Sequence, residues 1–370
     1  MIKSKTTSDF IQERKNDGKR VSLINLGCAR NTVDSQVMLG NLKRQGHKIV
    51  DLKHSDIAIV NTCAFVEDAK KESIDMIVEL LEMKKQGKLK KVIVAGCLAE
   101  RYSKELAAEF KDIDAIIGVQ KLDQQKVQDQ VSLTPKHFAY LKICESCYNR
   151  CSFCIIPKIK GKFVSRTIES VLEEVKRLDG QGVKELNIIG QDITAYGMDL
   201  YHELSLAKLL REMVKVTKNI EWIRLLYAFP AHVTKELIRT IAEEPRICKY
   251  IDMPLQHISE HLLKEQNRGI TMQGTLDLIN DLRSTMPQAS IRTTFIVGLP
   301  GETEKDFGEL TSFIQGFRFE KVGVFIYSKE EGTAAYAMEH HVPDVTKKKR
   351  MNTLMQLQQE ISQQVQQSHV

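Results

Sequence analysis

An apolar run that ends directly in a cysteine occurs three times in the first third of the chain, and this repeat constrains the fold most. The runs VSLINLGC, IAIVNTC and KVIVAGC end at Cys28, Cys63 and Cys97, at intervals of 35 and 34 residues. Strands that alternate with helices at this spacing predict a parallel sheet with right-handed crossovers. Ligands bind beyond the carboxyl ends of such strands, so we expect the three cysteines to converge if their strands are neighbours.

The segments between these strands have helical periodicity. In one of them, Ile74, Ile77, Val78 and Leu81 follow the i, i+3, i+4, i+7 pattern, and Gly87 comes next as a stop signal. This pattern predicts an amphipathic helix whose apolar face carries those four residues.

A second series of strands and helices begins at AYLKICES and continues through ELNIIGQ, WIRLLYAF, CKYIDMPL, SIRTTFIVG and KVGVFIYS. One intervening helix is expected to begin after Thr167 as its N-cap and to end at Gly180 and Gly182. Six strand–helix units predict a partial (β/α)6 barrel with its active site at the carboxyl ends of the strands. The expected fold class is α/β, a parallel-sheet domain followed by this barrel.

The expected domain organisation follows from these patterns. We expect a disordered lead-in (1–19), an N-terminal α/β domain (20–130), a proline-containing linker (131–138), the barrel (139–365) and a Gln-rich helical tail (366–370). No apolar run is typical of a signal peptide or a membrane span, so we expect a cytoplasmic protein.

Composition favours metal binding over disulfide bonding. The chain has 370 residues, a net charge of +6 and eight cysteines. Disulfides are rare in cytosolic proteins, where clustered cysteines more often bind metal. Two basic stretches, Lys84–Lys91 and Lys347–Arg350, are interpreted as solvated helix faces, with contact to a ribosome or RNA as the alternative.

The run CESCYNRCSFCIIP contains Cys147, Cys151 and Cys154 in the spacing CxxxCxxC. Three thiolates can hold three irons of a 4Fe-4S cube and leave the fourth iron without a protein ligand. A cluster that only stores an electron is usually closed by four protein ligands. The spacing therefore indicates chemistry at an open iron, where S-adenosylmethionine can bind and be cleaved.

The upstream cysteines favour a second open cube. Any one of them alone would be interpreted as a small buried core residue. Three at the same structural position favour an iron–sulfur site over structural zinc, which normally has four protein ligands. Cys144 and Cys147 form one CxxC pair, and Cys151 and Cys154 form another. Only three residues separate the two pairs, whereas a zinc ribbon usually has a dozen or more residues between them. We expect Cys144 to lie within a strand and to point away from the cluster.

Several weaker candidates lie at other predicted strand ends. Gly190-Gln191-Asp192 is interpreted either as a contact for the amino group of S-adenosylmethionine or as an ordinary turn. In the run GLPGE, two glycines permit close backbone approach to adenine; the candidate cofactor contacts there are Gly298, Gly301 and Glu302.

Two further groups have competing interpretations. Gln256 and His257 end the fourth barrel strand, where a histidine is more often a packed hydrogen-bonding residue than a ligand. Four basic residues follow the cysteine motif and are expected either to steer an acidic substrate or to be solvated: Lys158, Lys160, Lys162 and Arg166.

With Phe153 before its last cysteine, the CxxxCxxC motif resembles the radical S-adenosylmethionine superfamily. One cysteine at each of three upstream strand ends resembles its methylthiotransferase branch. The stretches LGCARNTVDSQVMLG, VNTCAFVEDAKKESI, AGCLAERY, CSFCIIPKIKGKFVSR, IIGQDITAYGMDLY, WIRLLYAFP, YIDMPLQH and IRTTFIVGLPGETE resemble the RimO type, over about residues 20–365.

This resemblance implies a mechanism with two 4Fe-4S clusters and S-adenosylmethionine. The cluster at Cys147, Cys151 and Cys154 would reduce S-adenosylmethionine to a deoxyadenosyl radical, which removes hydrogen from an aspartate β-carbon in the twelfth protein of the small ribosomal subunit. The cluster at the upstream triad would bind or supply sulfur, and a second S-adenosylmethionine would give the methyl group. An electron donor such as flavodoxin or ferredoxin is expected, whereas direct nucleic-acid binding is not required.

The sequence departs from the family pattern in places, and three competing functions stay open. Ser146 replaces a usual Gly, Cys144 a usual Ser, Lys160-Gly161 an Arg-Gly pair, and the C-terminal TRAM barrel of the branch is expected to be missing. The nearest competing function is that of the tRNA adenosine methylthiotransferase branch, which would use the same six cysteines. A non-enzymatic iron–sulfur carrier and a structural zinc protein are the two from outside the superfamily.

Overall fold

The computed structural model describes residues 18–119 and 130–367, which form two compact units. One unit contains the chain up to Lys142 together with Lys158–Gly161. The other contains Ile143–Pro157 and the chain from Lys162 onward. Most of the expected lead-in, 1–17, lies outside the described residues, as do 120–129 of the expected N-terminal domain and 368–370 of the expected tail.

The first unit contains a five-stranded parallel sheet in the order β2-β1-β3-β4-β5. Its strands are β1 (Arg20–Asn25), β2 (Lys48–Ile49), β3 (Ile57–Thr62), β4 (Lys91–Gly96) and β5 (Ala115–Ile117). The three strands that precede cysteines are β1, β3 and β4, and they are direct neighbours. The expected parallel sheet is therefore confirmed, and the three cysteines follow adjacent strand ends.

Four helices accompany this sheet: α1 (Ala29–Arg44), α2 (Glu67–Lys85), α3 (Cys97–Arg101) and α4 (Ser103–Glu109). The apolar face predicted for α2 is partly wrong, because Ile74 and Val78 are 38% and 50% exposed. Ser73 faces the sheet instead, where its hydroxyl donates to the Cys63 carbonyl at 3.0 Å and accepts from the Cys63 N–H at 3.1 Å. The buried residues of α2 are Ser73, Ile77, Leu80 and Leu81.

Eight strands follow along the chain: β6 (Phe138–Lys142), β7 (Cys144–Glu145), β8 (Val164–Ser165), β9 (Glu185–Ile189), β10 (Trp222–Leu225), β11 (Ile247–Asp252), β12 (Ser290–Val297) and β13 (Lys321–Ile326). Six of them form one open sheet in the order β13-β12-β11-β10-β9-β6, whereas β7 pairs antiparallel with β8. The open six-stranded sheet with sequential neighbours confirms the expected partial barrel.

The α-helices that follow β6 in the described chain are α5 (Ile156–Lys160), α6 (Ile168–Gly180), α7 (Leu206–Val216), α8 (Lys235–Glu243), α9 (Glu260–Glu265), α10 (Met272–Thr285), α11 (Glu304–Phe317) and α12 (Asp344–Gln367). The expected start of α6 is confirmed, because the Thr167 hydroxyl accepts the Ser170 N–H at 3.2 Å. Across the described ranges, no helix combines the length and apolar character needed to cross a membrane.

The basic stretch in α12 is only partly solvated, contrary to expectation. Lys347 and Arg350 are buried. Arg350 Nη1 lies 2.9 Å from Glu302 Oε1, and a Cβ added at Gly298 would overlap the Lys347 side chain. The Arg350–Glu302 pair spans 48 residues of sequence, so local charge patterning gave no sign of it.

Candidate metal centres

The first triad consists of Cys28, Cys63 and Cys97. Cys28 is the extended N-cap of α1 (φ −86°, ψ 173°), Cys63 directly follows β3, and Cys97 is the first residue of α3. Burial raises the pKa of the Cys97 thiol to about 12, and negative charge on the other two cysteines adds to the shift. Burial also raises the pKa of Cys63, with a further contribution from Cys28. The three thiols therefore lie close enough to interact electrostatically.

Asn31 links the strand ends that carry this triad, and the sequence analysis missed it. Its buried side chain donates from Nδ2 to the Leu26 carbonyl at 3.1 Å and to the Thr62 carbonyl at 3.0 Å. Its Oδ1 lies 4.0 Å from Cys97 Sγ. A polar residue on the sheet-facing side of α1, three positions after Cys28, was the available signal.

The residue before Cys97 must be glycine. Gly96 has φ +92°, and a Cβ there would overlap Asn61 Oδ1. The Asn61 side chain in turn donates to the Asn31 carbonyl at 3.0 Å. Close packing of β3 and β4 at this point thus brings Cys63 and Cys97 to the same edge of the sheet.

Basic residues favour the thiolate form at this triad. Burial opposes ionisation of Cys28, but the Arg30 charge and local backbone N–H groups outweigh it and lower the Cys28 pKa. The Lys160 ammonium contributes in the same direction at Cys28, and it also opposes the raised pKa of Cys97. An anionic cluster therefore has cationic neighbours in this unit.

Lys160 was expected either to steer a substrate or to be solvated, and both interpretations are wrong. Its side chain is 2% exposed, and Nζ lies 3.1 Å from Asp34 Oδ2. Lys142 contacts the other oxygen of the same carboxylate. Burial opposes ionisation of Asp34, but the two ammonium groups outweigh it and lower the Asp34 pKa. Arg166 is likewise buried, paired with Glu174, whereas Lys158 and Lys162 are exposed.

The second triad lies in the loop after β7 and before α5. Burial, with the negative charge of Asp192 next, raises the pKa of Cys147 to about 11. Burial raises the pKa of Cys154 to about 12, and the charges of Cys151 and Cys147 add to the shift. The Cys154 N–H donates to the Cys151 carbonyl at 3.0 Å, which closes the loop. The thiols of this triad also lie within electrostatic reach of one another.

The turn after α9 holds this cysteine loop through both backbone and side chain. The Ser152 N–H donates to the Gln266 carbonyl at 3.1 Å, and the Ser152 hydroxyl donates to Gln266 Oε1 at 2.6 Å. Asn267 Nδ2 donates to the Arg150 carbonyl at 2.9 Å. Residues on either side of Cys151 are therefore fixed by one turn more than a hundred residues later in the chain.

Asp192, a predicted cofactor contact, is heavily hydrogen-bonded within the protein. Its Oδ1 accepts from the Thr194 N–H at 3.0 Å. Its Oδ2 accepts from Asn149 Nδ2 at 2.7 Å and lies 2.8 Å from His232 Nδ1. Asn149 Nδ2 also lies 3.6 Å from Cys147 Sγ. Asp192 therefore links the end of β9 to the cysteine loop, and its contact with S-adenosylmethionine stays a prediction.

The neighbouring Gly190 packs within the protein, whereas Gln191 has a buried polar atom that a bound ligand could contact. A Cβ at Gly190 would overlap Cys144 Sγ, so the backbone at the end of β9 packs directly on the buried Cys144. Gln191 Oε1 is buried and has no hydrogen-bond partner among the described residues. An amino group of a bound cofactor would satisfy such an acceptor.

The GLPGE turn and the fourth strand end differ in how completely their polar groups are paired. Glu302 Oε2 accepts the Gly298 and Leu299 N–H groups at 2.5 and 3.1 Å, so this carboxylate closes its own turn. Gln256 Oε1 is buried without a partner in the described part of the chain. Burial lowers the pKa of His257 to about 4. Cofactor contacts from Gly298, Gly301 and Glu302 stay predictions.

Neither triad is arranged as a single-ion site. In the described ranges, no three Cys, His, Asp or Glu side chains surround one common metal position. Because a four-iron cube is larger than one ion, its three thiolates stand farther apart. The three thiols that each triad provides fit such a cube with one open iron.

Two family models match successive parts of the chain, and each part contains one of the two triads. Residues 20–118 match the family described as "Uncharacterized protein family UPF0004", and residues 141–314 match the radical SAM superfamily. The chain is 44% identical to "Ribosomal protein uS12 methylthiotransferase RimO" of Clostridioides difficile (strain 630), covering 94% of this chain and 83% of that protein. The protein of the same name from Caldanaerobacter subterraneus subsp. tengcongensis is 48% identical, with coverage of 93% and 84%.

Solved structures show the same fold. The radical S-adenosylmethionine methyltransferase TsrM from Kitasatospora setae has a TM-score of 0.57 at 16% identity, covering 83% of this chain and 73% of that chain. The cobalamin-dependent S-adenosylmethionine radical enzyme OxsB has a TM-score of 0.56 at 13% identity, covering 86% of this chain and 55% of that chain.

Proposed function

The chain belongs to the radical S-adenosylmethionine methylthiotransferase family of the RimO type, and we propose that its two cysteine triads together methylthiolate an aspartate β-carbon of ribosomal protein uS12. The observation that carries the proposal is the presence of two three-thiol sites, one after the neighbouring parallel strands β1, β3 and β4 and the other in the loop between β7 and α5. A carrier that only moves electrons needs neither a second open site nor a barrel around it.

Each triad has its own role in the proposal. When bound, the cluster at Cys147, Cys151 and Cys154 supplies the electron that cleaves S-adenosylmethionine, and the cluster at the first triad supplies sulfur. The protein's contribution is to position the thiols. Burial raises the pKa of Cys97 and Cys154 and so disfavours their free thiolates, and metal binding that takes up thiolates would remove this cost.

The cofactor would lie at the carboxyl ends of the barrel strands. Gln191 Oε1 and Gln256 Oε1, two buried acceptors without partners in the described residues, follow β9 and β11. Gly190 lets the backbone after β9 pack on Cys144, and this packing would fix the position of the adjoining Gln191. These residues would bind and orient the amino acid part of S-adenosylmethionine, whereas the GLPGE turn would face adenine.

The remaining partners follow from the same proposal. The substrate is ribosomal protein uS12, and the electron donor is a low-potential carrier of the flavodoxin or ferredoxin class. A protein that modifies ribosomes and holds two iron–sulfur clusters is expected to work in the cytoplasm.

The direct test offers two substrates to one anaerobically reconstituted enzyme. Chain loaded with iron and sulfide receives S-adenosylmethionine, a reductant and either purified uS12 or tRNA, and each product is analysed by mass spectrometry. We expect the mass gain of one methylthio group on an aspartate-containing peptide of uS12, with none on tRNA. A gain on tRNA alone would assign the chain to the other branch.

Running this test with and without added sulfide as a sulfur source separates the two half-reactions. Without added sulfide, the enzyme is expected to form deoxyadenosine but no further methylthiolated product once its first cluster has given up its sulfur. Absence of deoxyadenosine in every arm would contradict the enzymatic proposal and favour an electron carrier.

A further inference from the structure

Arg268 is a buried arginine whose guanidinium directly contacts a cluster cysteine. The residue is 4% exposed, and Nη1 donates to Cys151 Sγ at 3.3 Å. Nη2 donates to the Pro254 carbonyl at 2.6 Å, and the guanidinium lies 4.4 Å from the centroid of the Phe229 ring. Three different contacts thus fix the plane of the guanidinium against the cysteine loop.

The backbone around Arg268 is equally well fixed. Its N–H donates to the Leu263 carbonyl at 3.0 Å, in a turn where Asn267 and Gly269 have φ values of +52° and +65°. The two residues before Arg268 bind the backbone on both sides of Cys151. The position of the arginine relative to Cys151 is therefore set by the fold and does not depend on a flexible side chain alone.

A hydrogen bond to a ligand sulfur changes the energetics of an iron–sulfur cluster. Hydrogen bonds to the sulfurs and the net charge near a cluster are known determinants of its reduction potential. The reduced cluster carries one more negative charge, so a cationic N–H donor stabilises it more than the oxidised form. Arginine keeps its charge throughout the accessible pH range, so this effect does not depend on protonation.

We propose that Arg268 is a positioning residue that raises the reduction potential of the cluster at the second triad through its N–H contact with Cys151. This inference rests on the proposed function, because it requires a cube at that triad. It assigns to Arg268 control of how readily the cluster accepts the electron that begins S-adenosylmethionine cleavage. Asn149 contacts Cys147 from a longer distance, 3.6 Å, and is neutral, so its contribution is expected to be smaller.

The test measures a potential in the full chain with both clusters reconstituted. Redox titration followed by electron paramagnetic resonance is performed with and without S-adenosylmethionine, and the signal that responds to S-adenosylmethionine reports the second triad. For Arg268→Gln we expect an about tenfold smaller equilibrium constant for one-electron reduction, which corresponds to a potential ~59 mV more negative. The potential of the other cluster is expected to stay unchanged.

Arg283→Gln is the matched control. Arg283 donates to the Ala289 carbonyl and to Glu320, so its replacement also removes an arginine contact network from the same unit. We expect wild-type potentials in this variant. A weak reductant should support S-adenosylmethionine cleavage by Arg283→Gln but hardly by Arg268→Gln, and a stronger reductant should restore the latter.

A fully loaded Arg268→Gln variant with a wild-type potential would overturn the proposal. If Arg268→Gln does not retain its cluster, the same potential is measured in Arg268→Lys. This substitution keeps the charge but loses the planar pair of N–H donors. A lowered potential in Arg268→Lys supports the proposal, and a wild-type value overturns it. Failure of the proposed function is distinguishable, because the wild-type chain itself would then lack the S-adenosylmethionine-responsive signal.

Discussion

Lys160 Nζ lies 3.1 Å from Asp34 Oδ2, and both side chains are buried in the N-terminal unit. Lys142 pairs with the other oxygen of the same carboxylate. The Lys160 charge helps to lower the pKa of Cys28 and opposes the raised pKa of Cys97. A positive charge at Lys160 therefore favours the thiolate forms of these two cysteines.

Removing the shared carboxylate should destabilise the protein strongly. Asp34→Asn removes the carboxylate that both buried ammonium groups contact, and breaking a buried ion pair in this way typically costs about 3–5 kcal/mol. We expect a clear fall in the melting temperature of the cluster-free chain. Asp51→Asn, which removes an exposed pair with His54, is the control and should leave the melting temperature unchanged. Equal melting temperatures for both variants would contradict the ion-pair interpretation.

The reactivity of Cys28 should depend on Arg30. Because the Arg30 charge helps to lower the Cys28 pKa, Arg30→Gln should raise that pKa and shift thiolate formation to higher pH. In the cluster-free chain, the iodoacetamide reaction at Cys28 should then require higher pH, as measured by peptide mass spectrometry. Cys248, in the other unit, is an internal reference whose profile should not move. An unchanged Cys28 profile would show that Arg30 does not contribute to its pKa, which burial, backbone contacts and Lys160 would then set.

The two triads should lose function separately. Cys151→Ala is expected to halve the iron content and to abolish deoxyadenosine formation while the first cluster remains loaded. Cys63→Ala should also halve the iron content, yet leave S-adenosylmethionine cleavage intact and stop sulfur insertion. Iron analysis and product mass spectrometry check both variants, with Cys248→Ala as the control that keeps both activities. Full methylthiolated product from Cys63→Ala would refute the sulfur role of the first triad.

The close packing of Gly190 on Cys144 predicts a rescue. A Cβ at position 190 overlaps Cys144 Sγ, so Gly190→Ala should displace the strand-end turn and weaken S-adenosylmethionine binding, by about tenfold or more. Overpacking of this kind typically destabilises by about 1–3 kcal/mol. Adding Cys144→Ala removes the overlapping sulfur and should restore most of the affinity, measured by equilibrium binding to the reconstituted chain. Cys144→Ala alone should bind nearly normally. A double variant as weak as Gly190→Ala would exclude this overlap as the cause.

His257 should make the protein sensitive to mild acid. Its folded-state pKa is lowered to about 4 by burial, whereas an unfolded histidine titrates near 6.5. Between these values the unfolded chain binds a proton that the folded chain does not, so stability falls as pH decreases from about 6.5 to about 4. The loss from this group would reach about 3 kcal/mol, and it would be absent above pH 7.

Melting curves of the cluster-free chain between pH 7 and pH 4.5 test this dependence. His257→Gln should lose less melting temperature over that interval than the wild-type chain. His54→Gln, at an exposed histidine, should follow the wild-type curve. Parallel curves for wild type and His257→Gln would show that other groups cause the acid sensitivity.

The parts of the fold that the sequence predicted depend on local patterns. The strands before Cys28, Cys63 and Cys97 were predictable because an apolar run that ends in a cysteine repeats at nearly the same interval. Parallel pairing of neighbouring strands then places their ends together. The start of α6 was predictable because a threonine N-cap acts on a residue only three positions later.

The parts that the sequence did not predict depend on distant partners. Arg268 acts on Cys151, which is 117 positions away in sequence. Lys160 belongs to the N-terminal unit, although the rest of that unit lies earlier in the sequence. Its contact with the distant Asp34 could therefore not be predicted from local sequence. The predicted buried face of α2 was partly wrong because Ser73, which is hydrogen-bonded to the Cys63 backbone, turns toward the sheet. A search for apolar periodicity gives no weight to a serine.

The inclusion of Lys158–Gly161 in the N-terminal unit has a consequence for how the chain is made on the ribosome. The buried carboxylate of Asp34 receives its second ammonium only after Lys160 has been synthesised and has left the exit tunnel. A nascent chain that stops at Lys142 would therefore hold an incomplete ionic core. We therefore expect the unit that carries the first triad to complete its folding only after the CxxxCxxC loop has been synthesised, because that loop precedes Lys160 in the chain.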